Sequence, residues 1–167
     1  MKWFAAVLYR DGALLEEVLA RLAHALSAID YHGPSYPFAE THYYAAEMGA
    51  GLNRVLIGFA GSGEAERLVA IKHLATAIEQ EFAENGARRV NIDPGYVDLF
   101  KVVLASGKAR GNKLYMGQGV WSDIALYYQG GTFHPLPWSF PDFKSGRYTA
   151  DLLALRRLYK QALARRP

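Results

Sequence analysis

The sequence predicts an α+β fold: one domain over residues 1–167, with a ferredoxin-like β-α-β-β-α-β half, an antiparallel sheet extended by a C-terminal β-meander, and a final helix. Three observations predict it. Apolar residues recur at helical spacing in three separate stretches. Short runs rich in Val, Ile and Tyr, punctuated by Pro-Gly, Gly-Asn and Gly-Gly, fill residues 88–143 in the manner of strands joined by tight turns. The chain of 167 residues is long enough for one well-buried core and short for two.

The first strand is 3–9, continuously apolar and therefore covered on both faces. Asp11-Gly12 turns the chain into a helix with Leu14, Leu15, Val18, Leu19, Leu22 and Leu26 as its stripe. Residues 29–38, with two prolines and a glycine, read as an irregular aromatic connection. Residues 41–48 and 54–60 flank Gly49-Ala50-Gly51 as a hairpin. Alternation in the first of these strands puts Thr41, Tyr43, Ala45 and Glu47 on one face.

Ser62 offers an N-cap to a second helix, with Leu68, Ile71, Leu74, Ala75, Ile78 and Phe82 facing inward and Asn85-Gly86 closing it. Residues 90–93 form the next strand. Pro94-Gly95 then has the residue pair of a type II turn, with Asp93 placed to bond its backbone. Strands follow at 100–105, 113–116, 120–128 and 132–134. Tyr148, Leu152, Leu155, Leu158, Tyr159 and Ala162 mark the last helix.

Composition excludes several chemistries. There is no cysteine, hence no disulfide, thiolate metal site or thiol nucleophile. Together with an N-terminal apolar run that is too short to span a bilayer, this leads to an expected cytoplasmic location with no membrane partner. The net charge is +3, but Lys101, Lys108, Arg110 and Lys113 follow one another without an acid between them, and the tail after Asp151 is also basic. Gly61-Ser62-Gly63 lacks the Gly-Lys-Ser/Thr of a phosphate loop, and Glu64 and Glu66 oppose an anion there. No HExxH or close ligand spacing points to a metal, and no GxSxG to a serine hydrolase, so neither a metal nor a cofactor is expected.

The segments 41–49 (THYYAAEMG), 88–96 (RRVNIDPGY), 101–108 (KVVLASGK), 114–119 (LYMGQG) and 135–143 (PLPWSFPDF) together resemble an uncharacterised bacterial and archaeal family, DUF4416, over nearly the whole chain. The family pattern has Ala-Glu where this chain has Ser122-Asp123, and Thr-Tyr where it has Ser139-Phe140. Acidity survives at Asp123; the phenol at 140 does not. The resemblance implies no activity, cofactor or partner, and the GTP-binding label carried by some relatives finds no P-loop here.

Three functional readings remain open. The first is a cleft for a small anionic metabolite, phosphorylated or carboxylated. Its catalytic candidates are Asp93, Glu47 and Lys101, and its ligand-binding candidates are Thr41, Tyr43, Asn91, Tyr96 and Lys108. It requires Asp93 and Lys101 to converge, and a structural turn with an ion pair is the alternative for those two. The second is RNA binding on an aromatic sheet face, although the RNP pattern is missing. The third is a homodimer formed through a sheet face or the final helix.

Overall fold

The computed structural model describes residues 1–39 and 44–165. Its strands are β1 (Lys2–Tyr9), β2 (Ile29–His32), β3 (Tyr36–Pro37), β4 (Asn53–Phe59), β5 (Val90–Val97), β6 (Lys101–Ser106), β7 (Leu114–Gly117), β8 (Val120–Gln129) and β9 (Thr132–Pro135). Its helices are α1 (Gly12–Ala25), α2 (Ala45–Met48), α3 (Leu68–Glu81), α4 (Pro141–Lys144) and α5 (Thr149–Ala164). The fold is mixed α+β with one antiparallel sheet in the order β2-β4-β1-β5-β6-β8-β7, β3 pairing with β4 and β9 with β8. No helix among the described residues is long and apolar enough to cross a membrane.

β1 is buried at every position because both of its faces carry a core. Trp3, Ala5 and Val7 point toward α1 and α3, packing with Val18, Leu22, Ile71, Ile78, Val90 and Ile92. Phe4 and Ala6 point the other way, toward Leu56, Val97, Leu104, Phe143, Tyr148, Leu152 and Leu155 beneath α4 and α5. A fully buried Leu, Ile or Phe contributes roughly 1.5–3 kcal/mol, so these two layers supply the main driving force. Asp11 caps α1, its Oδ1 accepting the Ala13 N–H at 2.9 Å.

Six sequence expectations are corrected. Over its described part, the expected strand at 41–48 does not form. Residues 41–43 lie outside the described residues, and Ala45–Met48 form a helical turn closed by Gly49 at φ +82°. Ala-Ala-Glu-Met followed by Gly is a helix-and-cap sequence, and that local preference prevails over its weak alternation. The partners of β4 are β1, β2 and β3, so two short strands stand where an irregular connection was expected. Pro37 is tolerated because β3 is a short strand at the edge, and Pro34 falls between β2 and β3.

Ser62 does not cap the second helix. A 3-10 turn, Ala65–Arg67, leads into α3 without a side-chain cap. Asn85-Gly86 is likewise not a helix cap. It makes a tight turn between the bridged Glu84 and Ala87, both turn residues having positive φ.

Pro94-Gly95 is not a turn either. β5 runs straight through it, pairing Ala5↔Pro94 and Phe4↔Gly95 with β1. The β5–β6 ladder ends at Gly95↔Leu104, so the missing Pro94 N–H removes no hydrogen bond on that side. Gly95 is there for close approach: an added Cβ would stand 2.2 Å from the Val103 carbonyl oxygen. Finally, the C-terminal strands do not lie in sequence order, because β8 inserts between β6 and β7.

Candidate functional site

Because the β5–β6 ladder stops at Gly95, the first half of β5 presents an open edge. Two side chains of α3 take the place of a strand there. Lys72 donates to the Ile92 carbonyl at 3.0 Å, and Glu79 accepts the Ile92 N–H at 2.6 Å. Alternation turns Asn91 and Asp93 toward the opposite face, where they enter a chain of charged groups.

Arg88 anchors one end of this chain. Its Nε and Nη2 donate to Glu47 at 2.8 and 2.7 Å, and its Nη1 donates to Asn91 Oδ1 at 2.8 Å. Asn91 Nδ2 donates to Asp93 Oδ2 at 2.9 Å, and Arg54 Nη2 stands 3.6 Å from the same oxygen. Arg54 also binds Asp142, which accepts the Tyr148 hydroxyl at 3.1 Å. Arg54 is 4% exposed and its guanidinium lies 4.5 Å from the Phe38 ring centroid.

The electrostatics follow from burial and pairing. The hydrogen bond from Arg88 is the main cause holding the Glu47 carboxyl down at about 2, with a smaller contribution from the charge of Lys108. Burial pushes Glu79 up, against the pull of Lys72 and Arg88. Burial opposes the charge of Arg54, yet Asp142 and Asp93 outweigh it and raise its pKa. Solvent reaches the Glu47–Arg88 end through a polar cleft of about 300 Å³ beside Arg10, Asp11 and Glu84.

At the other end the network is incomplete. Asp123, on β8 opposite Leu104, shares the Asp93 face of the sheet and is 9% exposed. Among the described residues its Oδ1 is buried without a hydrogen-bond partner, as is Arg54 Nε. Lys113 precedes Leu114, which pairs with Ser122, so it lies beside Asp123 across the β7–β8 hairpin. Burial raises the Asp123 pKa and lowers that of Lys113, while the two charges pull on each other without closing to an ion pair. Lys113 Nζ instead lies 5.5 Å from the Phe140 ring centroid. A carboxyl whose pKa burial raises, beside an ammonium that can meet an anion, is an arrangement suited to proton exchange at the carboxyl.

The sequence-derived site residues divide. Asn91 and Asp93 meet Glu47 through Arg88, and Lys108 acts on both Glu47 and Lys113. Thr41 and Tyr43 lie outside the described residues. Lys101 does not join. It follows the face of Val103, which packs under α3, whereas Asp93 follows the face of Val97, which packs under α5. Its ammonium binds Asp98 at 2.5 Å, and this bond raises its pKa. Tyr96 also faces away, buried edge-on against Trp3 at 5.8 Å.

Sequence reasoning missed Arg54, Lys72, Glu79, Arg88, Lys113, Asp123 and Asp142 as members of the site. A signal was present for Arg54: a charge within a strand otherwise apolar on both faces needs a buried partner. Among the described residues no set of three or more His, Asp or Glu could hold a metal.

A family model described as "Domain of unknown function (DUF4416)" matches residues 1–159. No curated protein and no solved structure matches the chain. With nearly its whole length inside that model, the chain belongs to the DUF4416 family.

Proposed function

We propose that this protein binds a small anionic metabolite, phosphorylated or carboxylated, between Lys113 and Asp123, and that Asp123 exchanges a proton with it. The observation that carries this reading is the buried, unpartnered Asp123 Oδ1 beside a half-buried Lys113 that forms no ion pair among the described residues. Native structures rarely leave such valences open without something to fill them. The ligand's anionic group meets Lys113, and a hydroxyl of the ligand supplies the hydrogen that Asp123 lacks. Asp93, fixed by Asn91 and Arg54, lies on the same side and sustains the raised pKa of Asp123 by its charge.

The scaffold in this reading is one domain with a ferredoxin-like half. The order β2-β4-β1-β5, with α1 and α3 packed on one face, supports it.

A thermal-shift panel of phosphates and carboxylates tests the function. A binder at 100 times its Kd stabilises the fold by about 2.7 kcal/mol, a rise of roughly 5–10 °C for a chain of this size. Lys113→Gln and Asp123→Asn should abolish the rise while remaining folded. A rise of the same size in both variants would remove the site.

A further inference from the structure

Four aromatic residues gather around the Lys113–Asp123 gap. On β8, Trp121 lies two residues before Asp123 and so on the same face. Its ring meets that of Tyr115 from β7, the centroids 5.0 Å apart and the planes tilted by 48°. On the other side of the gap, Phe140 lies against Lys113, and Trp138 is tied to β8 at the residue after Asp123 by a 3.2 Å bond from its indole N–H to the Ile124 carbonyl. Tyr115 is 60% exposed, Phe140 42% and Trp138 43%, so their ring faces are not used by the core. Aromatic faces carry partial negative charge and attract the polarised C–H bonds of a sugar ring, while carboxylates accept its hydroxyls.

We propose that the ligand of this site is a sugar phosphate or sugar acid: its ring lies on Phe140 and the Tyr115–Trp121 pair, a hydroxyl donates to Asp123, and its anionic group meets Lys113. This inference rests on the site reading above and narrows it to a ring-bearing ligand. A polyanion such as RNA fits less well. Asp123, which no ion pair among the described residues neutralises, stands beside Lys113 on this face and disfavours a phosphate chain while tolerating one anionic group at Lys113.

Isothermal titration on the full chain tests the inference with glucose 6-phosphate and glucuronate as ring-bearing probes, and glycerol 3-phosphate and lactate as acyclic counterparts. The ring-bearing probes should bind roughly tenfold tighter than the acyclic ones. Phe140→Leu combined with Tyr115→Leu should bring them down to the acyclic level, and Phe140→Tyr should keep the preference. Circular dichroism melting confirms that these exposed replacements leave the fold intact. Equal binding of both classes, unchanged by the leucine variants, would overturn the ring inference and leave the anion site standing. Failure of every probe would overturn both. Displacement of a bound sugar phosphate by a single-stranded RNA oligomer at lower concentration would overturn the inference in favour of nucleic acid.

Discussion

Glu79 on α3 accepts the backbone N–H of Ile92 on β5 at 2.6 Å, occupying the position where a neighbouring strand would otherwise pair. This contact, with that of Lys72 on the Ile92 carbonyl, closes an edge that the short β5–β6 ladder leaves open. Removing the carboxylate strands a buried donor. Glu79→Ala should therefore lose about 1–3 kcal/mol in urea unfolding, and Glu79→Gln, which keeps an acceptor, should lose less. Equal losses in the two variants would show that the hydrogen bond is not what matters at this position.

Arg54 and Asp142 join strand β4 to helix α4 across 88 residues of sequence, both nearly fully buried. Arg54→Met leaves the Asp142 carboxylate without its principal partner and should cost about 3–5 kcal/mol. The double variant Arg54→Met with Asp142→Leu should recover much of that loss, because the fully buried carboxylate is removed with its partner while Asp93 keeps Asn91 and Lys72. Denaturant unfolding of the three variants reads the comparison, and absence of recovery would contradict the pairing.

Asp123 links stability to the proposed chemistry. Its folded-state pKa is raised above the ordinary 3.8, mainly by burial. The stability associated with it is therefore fully present below about pH 4 and is lost as pH rises through the folded value. Asp123→Asn removes that loss, so its melting temperature should approach or exceed that of the parent as pH goes from 4 to 7, while ligand binding disappears. A variant whose disadvantage grows over this range would reverse the sign of the argument.

Glu47 behaves in the opposite sense. Its carboxyl is held down at about 2, chiefly by the Arg88 hydrogen bond, against an ordinary value of 4.5. Its contribution is present above the ordinary value and is lost as pH falls through the folded one. Melting curves of Glu47→Gln and parent should converge between pH 4.5 and 2 and stay apart at pH 7. Curves separated equally at all pH values would mean that the Glu47–Arg88 pair does not contribute through charge.

Much of the fold was legible in local pattern. The continuous apolar run of β1, the leucine stripe of α1 and the helical spacing of α5 each name their own burial. Part of what was misread depended on partners far away in sequence. Pro94-Gly95 has the composition of a turn, but pairing with Ala5 and Phe4 holds it extended, and only the approach of Val103 explains the glycine. Asn91 and Asp93 were legible as polar residues on one strand face. Their separation from Lys101 was not, since it depends on which residues of β6 reach the ladder. Asp142 and Lys113 were beyond reach for the same reason: each acquires its role from a register, not from its neighbours in the chain, whereas the apolar strand around Arg54 signalled a buried partner without naming it.

The most direct test of the central claim is an amide and indole NMR titration of the full chain with glucose 6-phosphate. Ligand between Lys113 and Asp123 should shift the resonances of Lys113, Tyr115, Asp123 and the Trp121 indole first, and the shifts should vanish in Lys113→Gln. Shifts gathered instead at Asp98 and Lys101, or no shifts at millimolar ligand, would contradict the account.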